Sequence, residues 1–325
     1  MIERIIACAK RYDADIVGFA PADRFSADDP IFKIFPGTKT VIGLGFRVLR
    51  GIYRGVEEGT TYYQYTTMGV ENLEETVMPL TLLNVSNLIE EEGFIAVPQR
   101  KSPLIQNEPE GTNPEVDFND VYRGVKAENQ LDFLNCAVQC GLGEKSMIGS
   151  LLTDDYGPFI RYCFILTDAE LPATELAAPH LCDNCGECIK ACPGRAYAED
   201  GKLDSWRCAV YYNGANGSKN PFMPPEAFSD RDDRMDIING TAEFDSEEAQ
   251  EILRDIYFYP PAKHSYRTSI CGRACDRACY IHLEEKGLLK KGFVRKFREK
   301  EDWKLSTKQF ETGVREKEWD FGGKK

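Results

Sequence analysis

Histidine is scarce in this 325-residue chain, with only His180, His264 and His282 present. Three imidazoles offer few ligands, so a centre built on histidine is not expected. No apolar run approaches the ~18 uninterrupted residues that a membrane helix needs, which argues against a helical span. Positive charge is also in deficit, with 40 Lys and Arg against 53 Asp and Glu, a net of −13. Affinity for nucleic acid rests largely on basic side chains that neutralise phosphates, so this balance disfavours a nucleic acid partner. Met1–Ala9 carries Glu3 and only a short apolar run before Lys10. It lacks the h-region of a secretory leader, and a cytoplasmic location is expected.

Cysteine, by contrast, is abundant, with 12 residues. In a reducing compartment, cysteines in such number point to metal or redox ligation rather than to a disulfide framework. The remaining composition, 42% hydrophobic and 29% charged, is that of a globular protein. Its length suits a large core with an appended module.

Residues 1–13 read as a short amphipathic helix, and Asp15–Ala20 as a strand closed by Pro21. A second strand is predicted over Thr40–Val48, after the turn Pro36-Gly37. From Gly69 to Glu92 apolar residues recur at helical spacing, with Pro79 expected to kink the helix. Residues 98–120, dense in Pro, Asn and Glu, predict a long surface loop of the kind that covers sites. A helix over 127–138 and a strand over Ile160–Thr167 complete a first domain of mixed α/β or α+β layers, residues 1–178. Residues 179–282 hold most of the cysteines. Residues 283–325 form a basic tail expected to be helical around Phe293, Val294 and Phe297. From Lys286 onward there are 13 Lys and Arg against 7 acids, a net of +6, which leaves −19 on residues 1–285. Such segregation suits either a solvated segment packed on the body or a docking tail for an acidic electron donor.

The run Cys182-x2-Cys185-x2-Cys188-x3-Cys192-Pro193 fits the bacterial ferredoxin pattern, in which three thiolates hold one [4Fe-4S] cube and the fourth reaches a neighbouring cube. A cube has four iron corners, so each needs a ligand from elsewhere in the chain. Cys208, Cys271, Cys275 and Cys279 supply the balance. By this crossed logic Cys182, Cys185, Cys188 and Cys279 form one set, and Cys192, Cys208, Cys271 and Cys275 the other. Zinc in tetrahedral thiolate sites is the competing reading. Cys8, Cys136, Cys140 and Cys163 read as buried structural thiols. Gly141-x-Gly143 lacks the third glycine of a dinucleotide loop, and Asn213–Ser218 reads as a turn between ligands.

Upstream of the cysteines stand Gly141-Leu142-Gly143-Glu144, Tyr156-Gly157-Pro158, Arg161 and Thr167-Asp168-x-x-Leu171. With the cysteine run they resemble the superfamily of cobalamin-dependent reductive dehalogenases and epoxyqueuosine reductases. That resemblance implies an oxidoreductase with a nitroreductase-like N-terminal domain and a ferredoxin-like module carrying two [4Fe-4S] clusters. It also implies a cobalamin that the clusters reduce for reductive cleavage of a small-molecule substrate. Gly141, Gly143, Tyr156 and Gly157 are then candidate cofactor-binding residues. Tyr122 with Arg161 is the candidate proton donor pair, and Asp132 the acidic alternative, since a cation stabilises the phenolate left behind. FMN is the alternative organic cofactor. An electron donor such as ferredoxin or flavodoxin is the implied partner, and a non-catalytic electron-transfer or cofactor-handling protein the rival function.

Overall fold

The computed structural model describes residues 1–61, 64–100, 130–258 and 269–313. It is a mixed helix and sheet protein. Helix α1 (Ile2–Arg11) leads into β1 (Ile16–Pro21), then α2 (Pro30–Ile34) and β2 (Thr40–Arg47). After α3 (Arg50–Glu57) come α4 (Met78–Glu91), β3 (Ala96–Gln99) and α5 (Phe133–Gln139). The hairpin β4 (Glu144–Lys145) and β5 (Leu151–Leu152) precedes β6 (Ile160–Thr167). The four long strands make one sheet of order β1-β2-β6-β3, antiparallel at every junction.

Alternation along the central strands sorts side chains to two faces. Ile42, Leu44 and Phe46 of β2, with Cys163 and Ile165 of β6, meet Ile5 and Ala9 of α1 and Val85 and Ile89 of α4. Val41, Phe164 and Leu166 point the other way, onto Ile31 of α2 and Cys136 and Ala137 of α5. Both faces are covered, which is why β2 and β6 read as near-continuous apolar runs despite antiparallel pairing.

Two sequence expectations are corrected here. Pro79 stands inside a helical stretch continuous over 64–91, at the start of its regular α-helical part, and what accompanies it is a widening of the preceding turns rather than an interior kink of α4. The widening lies upstream, in the π-helical turns Thr67–Glu71 and Leu73–Val77. Strand β3 was not expected, because it spans four residues and contains Pro98, which a sheet accepts at its edge.

The rest of the chain adds α6 (Glu187–Lys190), α7 (Ser205–Tyr212), α8 (Arg234–Asn239), α9 (Ser246–Arg254), α10 (Ala274–Glu285) and α11 (Lys308–Thr312). Trp206, Val210, Ile237, Ile238, Ala249 and Ile252 build a separate core that also buries Phe310. The tail is not helical around Phe293, Val294 and Phe297: residues 286–307 hold no helix, and among the described residues only α11 follows. Gly287 ends α10 with a positive φ, and the segment then lies on the body as a strap. Phe297 is buried with Tyr53, Phe159 and Tyr280. The buried carboxylate of Glu57 accepts from both Arg277 and Arg298, tying α3, α10 and strap together. Removing either guanidinium would leave that burial undercompensated.

Candidate metal centre

The thiols of the cysteine run are placed by a carboxylate. Hairpin β4–β5 sets Glu144, 4% exposed, beneath residues 180–182. Its oxygens accept the backbone N–H groups of His180 (2.6 Å), Leu181 (3.0 and 3.1 Å) and Cys182 (2.7 Å). Beyond it, Asn184 and Gly186 take left-handed conformations that wind the run into a tight turn, and α6 carries Cys188. Met147 N–H points at the Cys182 sulfur (3.4 Å) and Ala196 N–H at that of Cys192 (3.4 Å).

Several of the eight thiols are close neighbours, with Cys188, Cys192, Cys275 and Cys279 around one small apolar cluster. Burial raises the Cys279 thiol above its ordinary value, and proximity to Cys188, Cys182 and Cys185 raises it further. Burial, then Cys185 and Cys182, pushes Cys188 up to about 11. In the other set, burial raises Cys208, with Cys271, Cys192 and Cys275 adding to the effect. Burial chiefly holds Cys275 up at about 12. A small hollow is lined by Cys192, Cys208, Cys271 and Cys275 together. The wide spacing Cys271-x3-Cys275 is accommodated because Gly272 and Arg273 both adopt positive φ, of 50° and 53°. Gly272 is required there twice over, since a Cβ would stand 2.4 Å from Cγ1 of Val56 on α3.

Beside the second set, toward the sheet, lies a polar cluster. Arg161 of β6 donates to the Tyr65 hydroxyl at 2.6 Å and pairs with Glu74 at 3.4 Å. The Tyr65 ring stacks on Tyr53 (4.8 Å between centroids), Tyr53 on Phe159 (4.1 Å) and Phe159 on Tyr280 (4.3 Å), the residue after Cys279. Burial raises the Tyr65 hydroxyl, while Arg161 and Arg273 oppose the shift. Burial chiefly raises the Tyr212 hydroxyl, with Tyr65 and Cys271 adding to the effect and Arg161 opposing it. Arg273 is held by Asp276 (2.7 Å), itself bonded to Ser150 (3.0 Å).

The predicted catalytic and cofactor residues fall apart spatially. Tyr122 and His264 lie outside the described residues, as does the predicted loop beyond Arg100. Arg161 is in the polar cluster, and its tyrosine there is Tyr65. No motif signal marked Tyr65, because the contact joins residues 96 apart in sequence. Asp132 caps α5, accepting from Asn135 N–H at 3.1 Å. Gly141 and Gly143 face protein backbone: a Cβ would stand 2.3 Å from the Glu175 carbonyl and 2.1 Å from that of Leu152. Tyr156 and Gly157 lie on the strap side, where Tyr156 donates to Asp15 at 3.3 Å and Gly157 packs near Leu283.

Comparison with known proteins returns two kinds of relative. An epoxyqueuosine reductase from Synechococcus sp. (strain RCC307) is 33% identical over 88 residues, 27% of this chain and 27% of that one. A tetrachloroethene reductive dehalogenase from Sulfurospirillum multivorans is 30% identical over 66 residues, 19% of this chain and 13% of that one. Its named relatives are reductases. The resemblance seen in the motifs therefore holds on both branches of the superfamily. The matches cover about a quarter or less of the relatives' length. No family model matches. Among solved structures, an epoxyqueuosine reductase with an epoxyqueuosine-modified tRNA stem loop aligns over 88% of this chain and 82% of that one, at 13% identity and TM-score 0.43.

The thiols suit iron–sulfur clusters, because thiolates are the ligands that such clusters require. A corrinoid fares differently. The cavity that reaches Cys271 measures about 340 Å³, at the low end for a drug-sized ligand and too small for a corrinoid. Tyr53, Tyr65 and Tyr212 occupy the space toward the sheet. The described residues thus offer no corrinoid cavity beside the thiols.

Among the described residues no helix is long and apolar enough to cross a membrane.

Proposed function

We propose that the chain is an iron–sulfur reductase that carries single electrons inward through two [4Fe-4S] clusters. Cys182, Cys185, Cys188 and Cys279 would hold one cluster, and Cys192, Cys208, Cys271 and Cys275 the other. Bound there, the clusters supply one-electron transfer at low potential. The hollow shared by Cys192, Cys208, Cys271 and Cys275, next to the spacing of the cysteine run, carries this reading. A nitroreductase-like domain over residues 1–178 and a ferredoxin-like module over 179–282, followed by the basic tail 283–325, are the divisions that go with it. The separate core around Val210 and Ile237 supports them.

The chain's own residues would do the remaining work. Glu144 fixes the start of the cysteine run. Arg161 holds the Tyr65 oxygen, and a permanently charged guanidinium favours the phenolate left when a hydroxyl gives up its proton. Tyr65 is thus the proton donor best placed among the described residues, with Tyr122 a further candidate. A small organic substrate is the acceptor that the superfamily resemblance favours. The relatives named epoxyqueuosine reductase make a modified tRNA the rival substrate.

A second reading is favoured by the small size of the cavity that reaches Cys271: electron transfer to a partner or to a flavin such as FMN, in place of a resident corrinoid. Anaerobic purification separates these readings. About eight irons per chain are expected from two cubes, falling to about four in Cys208→Ala. Zinc in their place would refute the proposal. Co-purifying cobalamin would favour corrinoid reduction, and its absence from iron-replete protein the second reading.

A further inference from the structure

We propose that the basic strap over α10 is the docking surface for a small acidic one-electron carrier protein, with the cavity beside Tyr280 as its apolar centre. This rests on the two-cluster reading above and names where electrons enter.

Residues 286–300 carry seven cations against the single acid Glu299, on a chain whose first 285 residues sum to −19. An acidic protein is repelled by most of this surface and attracted at the strap, which steers encounter to one orientation. The strap is not uniformly charged. A cavity of about 220 Å³ opens beneath it, lined by Val48, Leu49, Phe159, Tyr280 and Phe293, with Arg47, Arg50, Lys291 and one acid, Asp155, also in its wall. Phe293 is 50% exposed and Val294 fully so. The Arg50 guanidinium lies 4.4 Å from the Phe293 ring centroid, and its buried Nε has no hydrogen-bond partner. An apolar centre with a charged rim in which cations outnumber acids three to one is the anatomy of a protein interface, in which a few aromatic anchors carry the affinity.

Position relative to the thiols completes the argument. Tyr280 follows Cys279 directly, and Leu288 and Leu289 of the strap share with Cys182 and Cys279 one apolar cluster around Leu152, Leu181 and Leu283. Of the eight thiols in the two sets, only that of Cys185 belongs to an exposed residue. The first set is therefore the surface set, and the second lies deeper beside Tyr65 and Arg161. The carrier loses one electron and the first cluster gains it; no bond forms and no proton moves.

The test uses anaerobic holoprotein with photoreduced flavodoxin as probe. Reduction is followed by stopped flow and binding by titration, in wild type, Phe293→Ala and a triple variant of Lys291→Glu, Arg295→Glu and Lys296→Glu. In the triple variant the second-order rate constant should fall tenfold or more, its ionic-strength dependence should flatten, and binding should weaken by a similar factor. Phe293→Ala should weaken binding without changing the salt dependence. Iron content and reduction by dithionite should stay at wild-type values, which separates lost docking from lost clusters. Wild-type kinetics and binding in the triple variant would overturn the proposal. So would a tRNA stem loop that binds the strap and loses affinity in the triple variant while flavodoxin does not. Zinc in place of iron would sink the two-cluster reading, whereas the flavodoxin titration still reports on the surface.

Discussion

Replacing Glu144 with alanine tests whether a single buried carboxylate sets the first thiol group. The side chain accepts three consecutive backbone N–H groups, those of His180, Leu181 and Cys182. Leu181 is 1% exposed and Cys182 half-buried, so two of the three donors lose a partner that water cannot readily replace. Each buried unsatisfied donor costs about 1–3 kcal/mol, and the His180 N–H recovers most of its loss from solvent. A destabilisation of about 2–5 kcal/mol follows for Glu144→Ala. Glu144→Gln keeps one acceptor oxygen and should lose about half as much. The damage should also be local: Cys182 is the first residue of the run, so about four of the eight irons should become labile to a chelator while the other four stay. Anaerobic denaturant titration and iron release into bathophenanthroline measure the two effects. A Glu144→Ala protein with wild-type midpoint and wild-type iron retention would refute the reasoning.

Tyr65→Phe should leave iron content intact and lower the proton-dependent step, and Arg161→Lys should shift its pH profile without abolishing it; single-turnover kinetics against pH read both. Gly272→Ala should cost about 2–5 kcal/mol, the sum of a left-handed alanine and overpacking against Val56, visible as a lowered denaturation midpoint. Cys136, Cys140 and Cys163 should resist alkylation at pH 8 until the chain unfolds, as mass spectrometry after iodoacetamide can establish. Burial raises all three thiols in the fold, so each contributes stability that is complete below the unfolded value near 9 and is lost as pH rises through the higher folded values. The denaturation midpoint should therefore fall above pH 9, and less steeply in Cys163→Ala than in wild type.

The sheet was legible where burial is two-sided. Strands β2 and β6 announce themselves as β-branched apolar runs because helices cover both faces. Strand β3 left no such trace, since an edge strand of four residues with a proline satisfies few of the local preferences that a sequence displays. The strap misled for a related reason. Phe297 and its neighbours have helix-compatible spacing, but a segment preceded by Gly287 and Gly292 and anchored by Arg298 to Glu57 gains more from packing as irregular chain on α3 and α10. Such gains are tertiary and have no local signature.

The metal ligands could be written down from spacing, because three thiols on one cube must be near in sequence as well as in space. The pairing of the remaining five follows only from the crossed logic of two-cube folds. Acid–base groups obey no such constraint. Arg161 could be suspected from sequence, as a charge inside an apolar strand demands a partner. Its partners Tyr65 and Glu74 come from the irregular helical segment before α4, where nothing local distinguishes one tyrosine among fifteen. The glycines of the Gly-Leu-Gly signpost have a packing reason that sequence cannot display: each lies against a carbonyl from a distant segment, Glu175 or Leu152. The Gly-Leu-Gly-Glu motif therefore serves the thiols directly. Its glycines let β4 approach neighbouring backbone closely enough for Glu144 to reach under the cysteine run, and the run is held in place by an acid 38 residues upstream.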